Sequence, residues 1–253
     1  MRIRNTDHEK ASVSNNFFHT GRFGNSFFTG MALHFIAKKN DLQAHYRYYD
    51  DFKKLGVELY DGKIQHDEKI KPNDDNFFNY IIGDNIHINV ELNNSMWCQT
   101  KEFALYLKTY FNEYEQKINI ISSNIYKEKY DNNDDVFVHI RLGDIANNYA
   151  QPLEYYDKIL NEIKFKNGYI SSDSIEHDTC QFLIKKYNLK EYNSNEVDTI
   201  MFASVCKHIV LSAGTFSWMV GLFAYYSKIY YPKIYQKWHG DIFVFPEWVE
   251  IDY

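Results

Sequence analysis

The sequence predicts an α/β protein whose C-terminal half is a parallel sheet with helices on both faces. Two observations carry that expectation. Beyond Phe137, short apolar runs alternate with amphipathic segments of about three helical turns. The chain has 253 residues, 45% of them apolar, which is enough for a substantial core.

Taken in order, Ser12 to Phe18 reads as a short strand and HTGRFGN as a turn. A helix follows from Ser26 to about Lys39, because Phe27, Met31, His34 and Phe35 recur on one helical face and Lys38, Lys39 and Asn40 supply a stop. YRYYDDFKKLGVELYDGK reads as a helix and then a strand, and KIKPNDDN as a plain loop. IHINVEL, Ile86 to Leu92, alternates as a strand does, and the chain from Thr100 through SSNIY has helical period. The polar run Lys127 to Asp135 has no apolar face and divides the chain into an N-terminal domain, 1–130, and a C-terminal domain, 131–253. The second domain then reads VFVHI strand, PLEYYDKILNEI helix, GYISSD strand, EHDTCQFLIKKYN helix, NEVDTIMFASVC helix, KHIVLSA strand, TFSWMVGLFAYY helix and KIYYP strand.

Composition excludes several functions. With 28 Lys and Arg against 34 Asp and Glu the net charge is −6, so no global field holds nucleic acid or an anionic membrane. Any bound anion needs a local site. Cys98, Cys180 and Cys206 are odd in number and widely spaced, which suggests buried thiols and neither a zinc site nor a disulfide framework. Without an apolar leader or a transmembrane run, the expectation is a soluble, cytoplasmic protein.

Ligands of parallel α/β sheets sit at the C-terminal ends of the strands, and three such ends carry suitable side chains. VFVHIRLGD presents His139, Arg141, Gly143 and Asp144: the arginine fork suits diphosphate oxygens and Gly143 allows close backbone approach, although the tetrapeptide taken alone favours an Arg141–Asp144 ion pair. GYISSDSIEHD presents Asp173, which is also read as a helix cap. KHIVLSAGTFSWMVG feeds a turn in which Thr215, Phe216 and Ser217 open a helix, an anion site or another N-cap. A fourth element, TGRFGN, sets Gly21, Arg22, Gly24 and Asn25 between a strand and a helix N-terminus. No Asp-x-Asp, HExxH, Walker A or GxSxG sequence is present, so neutralising a diphosphate would fall to arginine and helix termini.

On these residues the chain resembles the α-1,2-fucosyltransferases and, more distantly, the α-1,6- and protein O-fucosyltransferases. TGRFGNSFFTGMALHFIAKK is similar to that family's N-terminal loop and helix, VHIRLGD to its H-x-R-R-G-D signature, YISSDSIE to its S-D-D region, and FASVCKHIVLSAGTFSWMVG to its C-terminal block. The resemblance implies a GT-B fold of two Rossmann-like domains facing across a cleft, GDP-fucose as donor, a glycan or glycoconjugate acceptor, inversion, no cofactor and no metal. It implies that Arg141 holds the β-phosphate, that His139 and Asp173 contact guanine or ribose, and that Thr215, Phe216 and Ser217 cradle the pyrophosphate. Gly21, Arg22, Gly24 and Asn25 would lie beside the transferred sugar. Leu142 stands where the signature has a second arginine, Ser26 where Gln is usual, and Met219 and Val220 alter the C-terminal block.

Three carboxylates, Asp144, Glu154 and Asp173, are available as the base, with Asp144 first because it shares a loop with Arg141. Two other readings stay open: a nucleotide-sugar or glycan-binding protein that has lost transfer, and a transferase for another nucleotide sugar.

Overall fold

A two-residue strand, β1 (Val13–Ser14), precedes helix α1 (Phe23–Asn40) and pairs in parallel with β2 (Ala44–His45). The computed structural model describes residues 13–14, as backbone, and 22–92, 96–143, 150–234 and 240–253. Part of the strand expected over Ser12 to Phe18 therefore lies outside the described residues. Helix α1 begins at Phe23 rather than Ser26 and ends where Asp41 turns left-handed and returns its N–H to Ala37. The sequence predicts one apolar face, yet nearly every residue from Phe23 to Ala37 is buried, because α1 is packed from several sides. Buried His34 accepts the Tyr60 N–H at Nδ1 (2.9 Å), so its proton is on Nε2, facing the Tyr110 hydroxyl at 3.4 Å.

The segment after β2 is mostly helical. Helix α2 (Tyr49–Lys54) realises the expected helix, but no strand follows it. Residues 60–64 instead bond to His34, Asp41 and Leu42, with one isolated parallel bridge between Leu42 and Ile64, in a turn wrapped around the end of α1. KIKPNDDN is not wholly loop: it begins with β3 (Lys69–Ile70), and an unforeseen helix, α3 (Phe77–Ile82), comes next. The strand expected over Ile86 to Leu92 is reduced to β4 (Asn89–Val90), parallel to β3. The long helix expected from Thr100 is two: α4 (Lys101–Asn112), capped by the Thr100 hydroxyl, and α5 (Tyr114–Ser123), parted by extended backbone at Glu113.

The C-terminal half follows the expected alternation. Its elements are β5 (Asp135–Ile140), α6 (Leu153–Glu162), β6 (Asn167–Ser172), α7 (Asp178–Tyr187), β7 (Lys190–Glu191), α8 (Glu196–Ala203), β8 (His208–Val210), α9 (Thr215–Leu222), β9 (Lys228–Pro232) and β10 (Val249–Ile251). Short edge strands β7 and β10 were not expected. All six strands are parallel, in the order β10-β9-β8-β5-β6-β7. Alternation along β5 sends Val136, Val138 and Ile140 into a cluster with Tyr155, Tyr156, Ile159 and Leu160 of α6 and with Leu183 of α7. Phe137 belongs to the other cluster, with Phe202 of α8 and Trp218 of α9.

That second cluster crosses residue 130. Phe27 of α1 meets Phe52, Phe111 and Phe223 at centroid distances of 5.7, 5.8 and 5.7 Å, and Phe28 meets Trp218 at 4.7 Å. The three cysteines are buried and unpaired, and among the described residues no helix is long and apolar enough to cross a membrane.

Phe27→Ala removes a fully buried ring shared by both halves, with an expected cost of ~3–5 kcal/mol. Urea unfolding followed by near-ultraviolet and far-ultraviolet dichroism is expected to show one coincident transition shifted to lower urea; a split transition with half the signal unmoved would show that the cluster does not couple the halves.

Candidate functional site

From β5 the chain moves outward through β6 and β7, then returns to place β8 on the other side of β5. The strand order reverses between β5 and β8, and in open parallel sheets this switch point opens a crevice at the carboxyl ends of the strands. Arg141 to Gly143 leave β5 there, Asp173 leaves β6, and Leu211 to Gly214 lead from β8 into α9.

Asp173 is the hub. One carboxylate oxygen, Oδ2, accepts from the Arg141 guanidinium and from that of Arg22 (3.1 Å); the other accepts the Leu142 N–H at 2.9 Å. Arg22 precedes α1, so this ion pair joins the two halves of the sequence. Gly143 makes the approach possible. Its φ of 28° lies in the left-handed region, and an added Cβ would sit 2.5 Å from Asp173 Oδ2.

Beside this hub two helices meet by their N-termini. Gly24, in the first turn of α1, lies so close to α9 that a Cβ there would be 2.5 Å from the Phe216 nitrogen and 2.7 Å from the Thr215 carbonyl carbon. Asn25 Oδ1 accepts from the Thr215 hydroxyl (2.8 Å) and from Gln99 Nε2 (3.0 Å), tying three segments together. Neither helix has a side-chain cap; Arg22 and Gly214 occupy the cap positions. The N–H groups of Phe23 to Asn25 and of Thr215 to Ser217 precede the first intrahelical bonds, which run from Ser26 to Arg22 and from Trp218 to Gly214. Two partial positive poles therefore converge where two guanidinium groups also stand, an arrangement that favours an anion.

Behind them, His139 is buried. Its Nδ1 lies 2.6 Å from Ser217 Oγ and 3.3 Å from Ser212 Oγ, and the two hydroxyls are 2.9 Å apart. The Phe216 ring lies 5.1 Å from the imidazole. Burial first, and the nearby Arg141 charge second, lower the His139 pKa to about 3, so the ring is neutral at neutral pH.

The structure thus gathers His139, Arg141, Gly143, Asp173, Arg22, Gly24, Asn25, Thr215, Phe216 and Ser217 at one crevice end. Gly21 and Asp144 lie outside the described residues. Two alternative roles are set aside. Asp173 does not cap α7, whose cap is His177, accepting the Thr179 N–H; Thr215 spends its hydroxyl on Asn25. Ser217 is 1% exposed, so its hydroxyl serves the histidine network. Leu142 is buried in the cluster of α6 and α7. Sequence reasoning missed Gln99 and Ser212. The first carries no local signal; the second sits in the strand-end run that already drew attention to Ser217.

At the opposite end of the sheet a polar cavity of about 400 Å³ is lined by Asp131, Asn133, Asp134, Lys166, Lys207 and Tyr226. Several of these groups are structurally engaged: Asn133 bonds the Lys129 and Val205 carbonyls, and Asp134 pairs with Lys207.

The sheet order and its two helical faces define a Rossmann-like α/β fold. The chain matches no family model, no curated protein and no solved structure at a significant level.

Gly24→Ala forces a methyl group onto the α9 backbone, with an expected loss of ~1–3 kcal/mol and a correspondingly lower melting temperature; an unchanged melt would show that α1 and α9 do not abut there. A second expectation concerns pH. His34, like His139, is held neutral with a pKa of about 3, by burial and the nearby Lys38, whereas an unfolded histidine protonates near 6.5. The unfolded chain therefore binds more protons between those values, so this contribution to stability is complete above about pH 6.5 and is lost as pH falls toward 3. His139→Asn removes one such group, and between about pH 4 and 6 its unfolding free energy is expected to fall less steeply, by up to ~1.4 kcal/mol per pH unit, in urea titrations. Parallel slopes would rule out a buried neutral imidazole at 139.

Proposed function

We propose that the chain is an inverting glycosyltransferase that moves fucose from GDP-fucose to a hydroxyl of a galactose-like sugar, in α-1,2 linkage and without a required metal. The reading includes a GT-B arrangement, with residues 1–130 on the acceptor side and 131–253 on the donor side. The observation that carries it is the meeting of Arg22 and Arg141, from opposite halves, beside two uncapped helix N-termini at the sheet's switch point. The resemblance of the four motifs adds the identity of the sugar and nucleotide.

In this reading the acceptor oxygen forms a bond to the anomeric carbon as the bond from that carbon to the β-phosphate oxygen breaks. Negative charge grows on the departing GDP, and Arg141, assisted by Arg22 and the first-turn N–H groups of α9, stabilises it more in the transition state than in the ground state. Neutral His139, oriented by Ser217 and Ser212, offers hydrogen bonds to guanine or ribose with no added charge. Phe216 and Thr215 line the pyrophosphate, and Gly24 and Asn25, with Gly21, border the sugar. The acceptor proton needs a base. Asp144 is the first candidate because it follows Arg141 on the same strand-end loop of the sequence, with Glu154 and Asp173 as the alternatives.

Leu142 favours a second reading, a nucleotide-sugar-binding protein without transfer. Its side chain is 2% exposed, in the apolar cluster, and so places no second signature cation on the donor side. Release of GDP from GDP-fucose separates the two readings: a transferase hydrolyses donor slowly without acceptor, and a binder does not.

Arg141→Ala is expected to lower transfer by ~10²–10³ while the protein keeps its far-ultraviolet dichroism. The assay is product formation from GDP-fucose over a panel of galactose-terminated acceptors, and near-normal turnover in the variant would remove the mechanism.

A further inference from the structure

We propose that Asp173 is an internal competitor of the diphosphate: its carboxylate and the donor's phosphates take the same two guanidinium groups in turn. The inference rests on the donor-binding reading above and assigns Asp173 a role other than contact with guanine or ribose.

The geometry of Asp173 is that of an anion in a receptor. Oδ2 is shared by the Arg22 and Arg141 guanidinium groups, and Oδ1 takes the Leu142 N–H at 2.9 Å. Donors from the start of α1, from the end of β5 and from the turn backbone thus converge on one carboxylate, as they would on phosphoryl oxygens. The carboxylate reaches this position because Gly143 carries no Cβ, which would stand 2.5 Å from Oδ2. Capping does not account for its placement, since His177 caps α7.

The same contacts are exchangeable. The Arg22 side chain is 59% exposed, and ion pairs open to solvent contribute little to stability; the side chains of Arg141 and Asp173 are 16% and 25% exposed, so Asp173 leaves Arg141 only as another anion takes its place. A diphosphate brings more charge and more acceptor oxygens than a carboxylate, so it displaces Asp173 from both arginines and from the Leu142 amide. Because a site occupied by its own carboxylate is only fractionally competent, the apparent affinity for the anion is reduced by that fraction.

The test is calorimetric titration of the full chain with inorganic pyrophosphate, which has neither base nor ribose, and with GDP. Asp173→Asn keeps a carbonyl oxygen for the Leu142 N–H and removes the charge, and it is expected to bind both ligands more tightly, on the order of 3- to 10-fold. Unchanged or weaker pyrophosphate binding overturns the proposal. So does weaker GDP binding with pyrophosphate unaffected, which would make Asp173 a base or ribose ligand, and so does the absence of pyrophosphate binding to either protein. Should the variant fail to fold, the wild-type chain supplies the answer: saturating pyrophosphate is expected to shift the carbon-13 resonance of the Asp173 side-chain carboxylate as it leaves Arg22 and Arg141, and an unmoved resonance overturns displacement. A parallel transfer assay separates the two readings. Tightened pyrophosphate binding without any fucose transfer removes the enzyme assignment and leaves the competitor; transfer with unaltered pyrophosphate affinity in Asp173→Asn does the reverse.

Discussion

Everything at the crevice depends on how closely the first turn of α1 sits on the first peptide of α9. Gly24 is the residue that permits it, because any side chain would overlap the backbone between Thr215 and Phe216. The contact is electrostatically costly, since it brings together two helix ends of the same sign. Two features offset that cost. Asn25 bridges Thr215 and Gln99, and the aromatic rings one turn further along α1 pack against Trp218 and Phe223. Two like poles are thus held together that an anion would compensate, a local conflict of the kind that functional sites show.

A gradient of polarity runs along one side of β5 toward this point. Phe137, His139 and Arg141 follow at the two-residue period of a strand: a fully buried hydrocarbon ring, then a neutral imidazole at 7% exposure, then a guanidinium whose side chain is 16% exposed. Each step adds hydrogen-bonding capacity as water becomes accessible. The imidazole stays uncharged because it lies inside the boundary, next to Ser212 and Ser217, while the permanent charge of arginine stands at it. Reversing the two residues would bury a cation beside the Phe216 ring and leave an ordinary titrating histidine outside.

The C-terminal half was largely legible because its elements are long enough to repeat a period. VFVHI, GYISSD, KHIVLSA and KIYYP all carry strands where the alternation puts them, and the strand-end rule then picks out Arg141, Asp173 and Thr215. Two-residue strands such as β2 and β3 repeat nothing and so give no signal, and α4 and α5 part at Glu113 with no Gly or Pro to mark the break. The period of α1 marks it as a helix but does not show its environment, since burial on every side depends on partners from both ends of the chain. For the crevice, residue types are readable and pairings are not: Arg141 meets Asp173 because β5 and β6 are neighbours, and Arg22, 151 positions from Asp173, reaches it only through the packing of α1 on α9.

The terminal strands of the six-stranded sheet have a consequence for the protein in a crowded solution. β7 is two residues long, Lys190 and Glu191, both exposed and oppositely charged, and β10 is three residues with Glu250 at its centre. Margins so brief and so charged offer an incoming polypeptide few backbone partners. Such edges disfavour the addition of further strands to a largely hydrophobic parallel sheet.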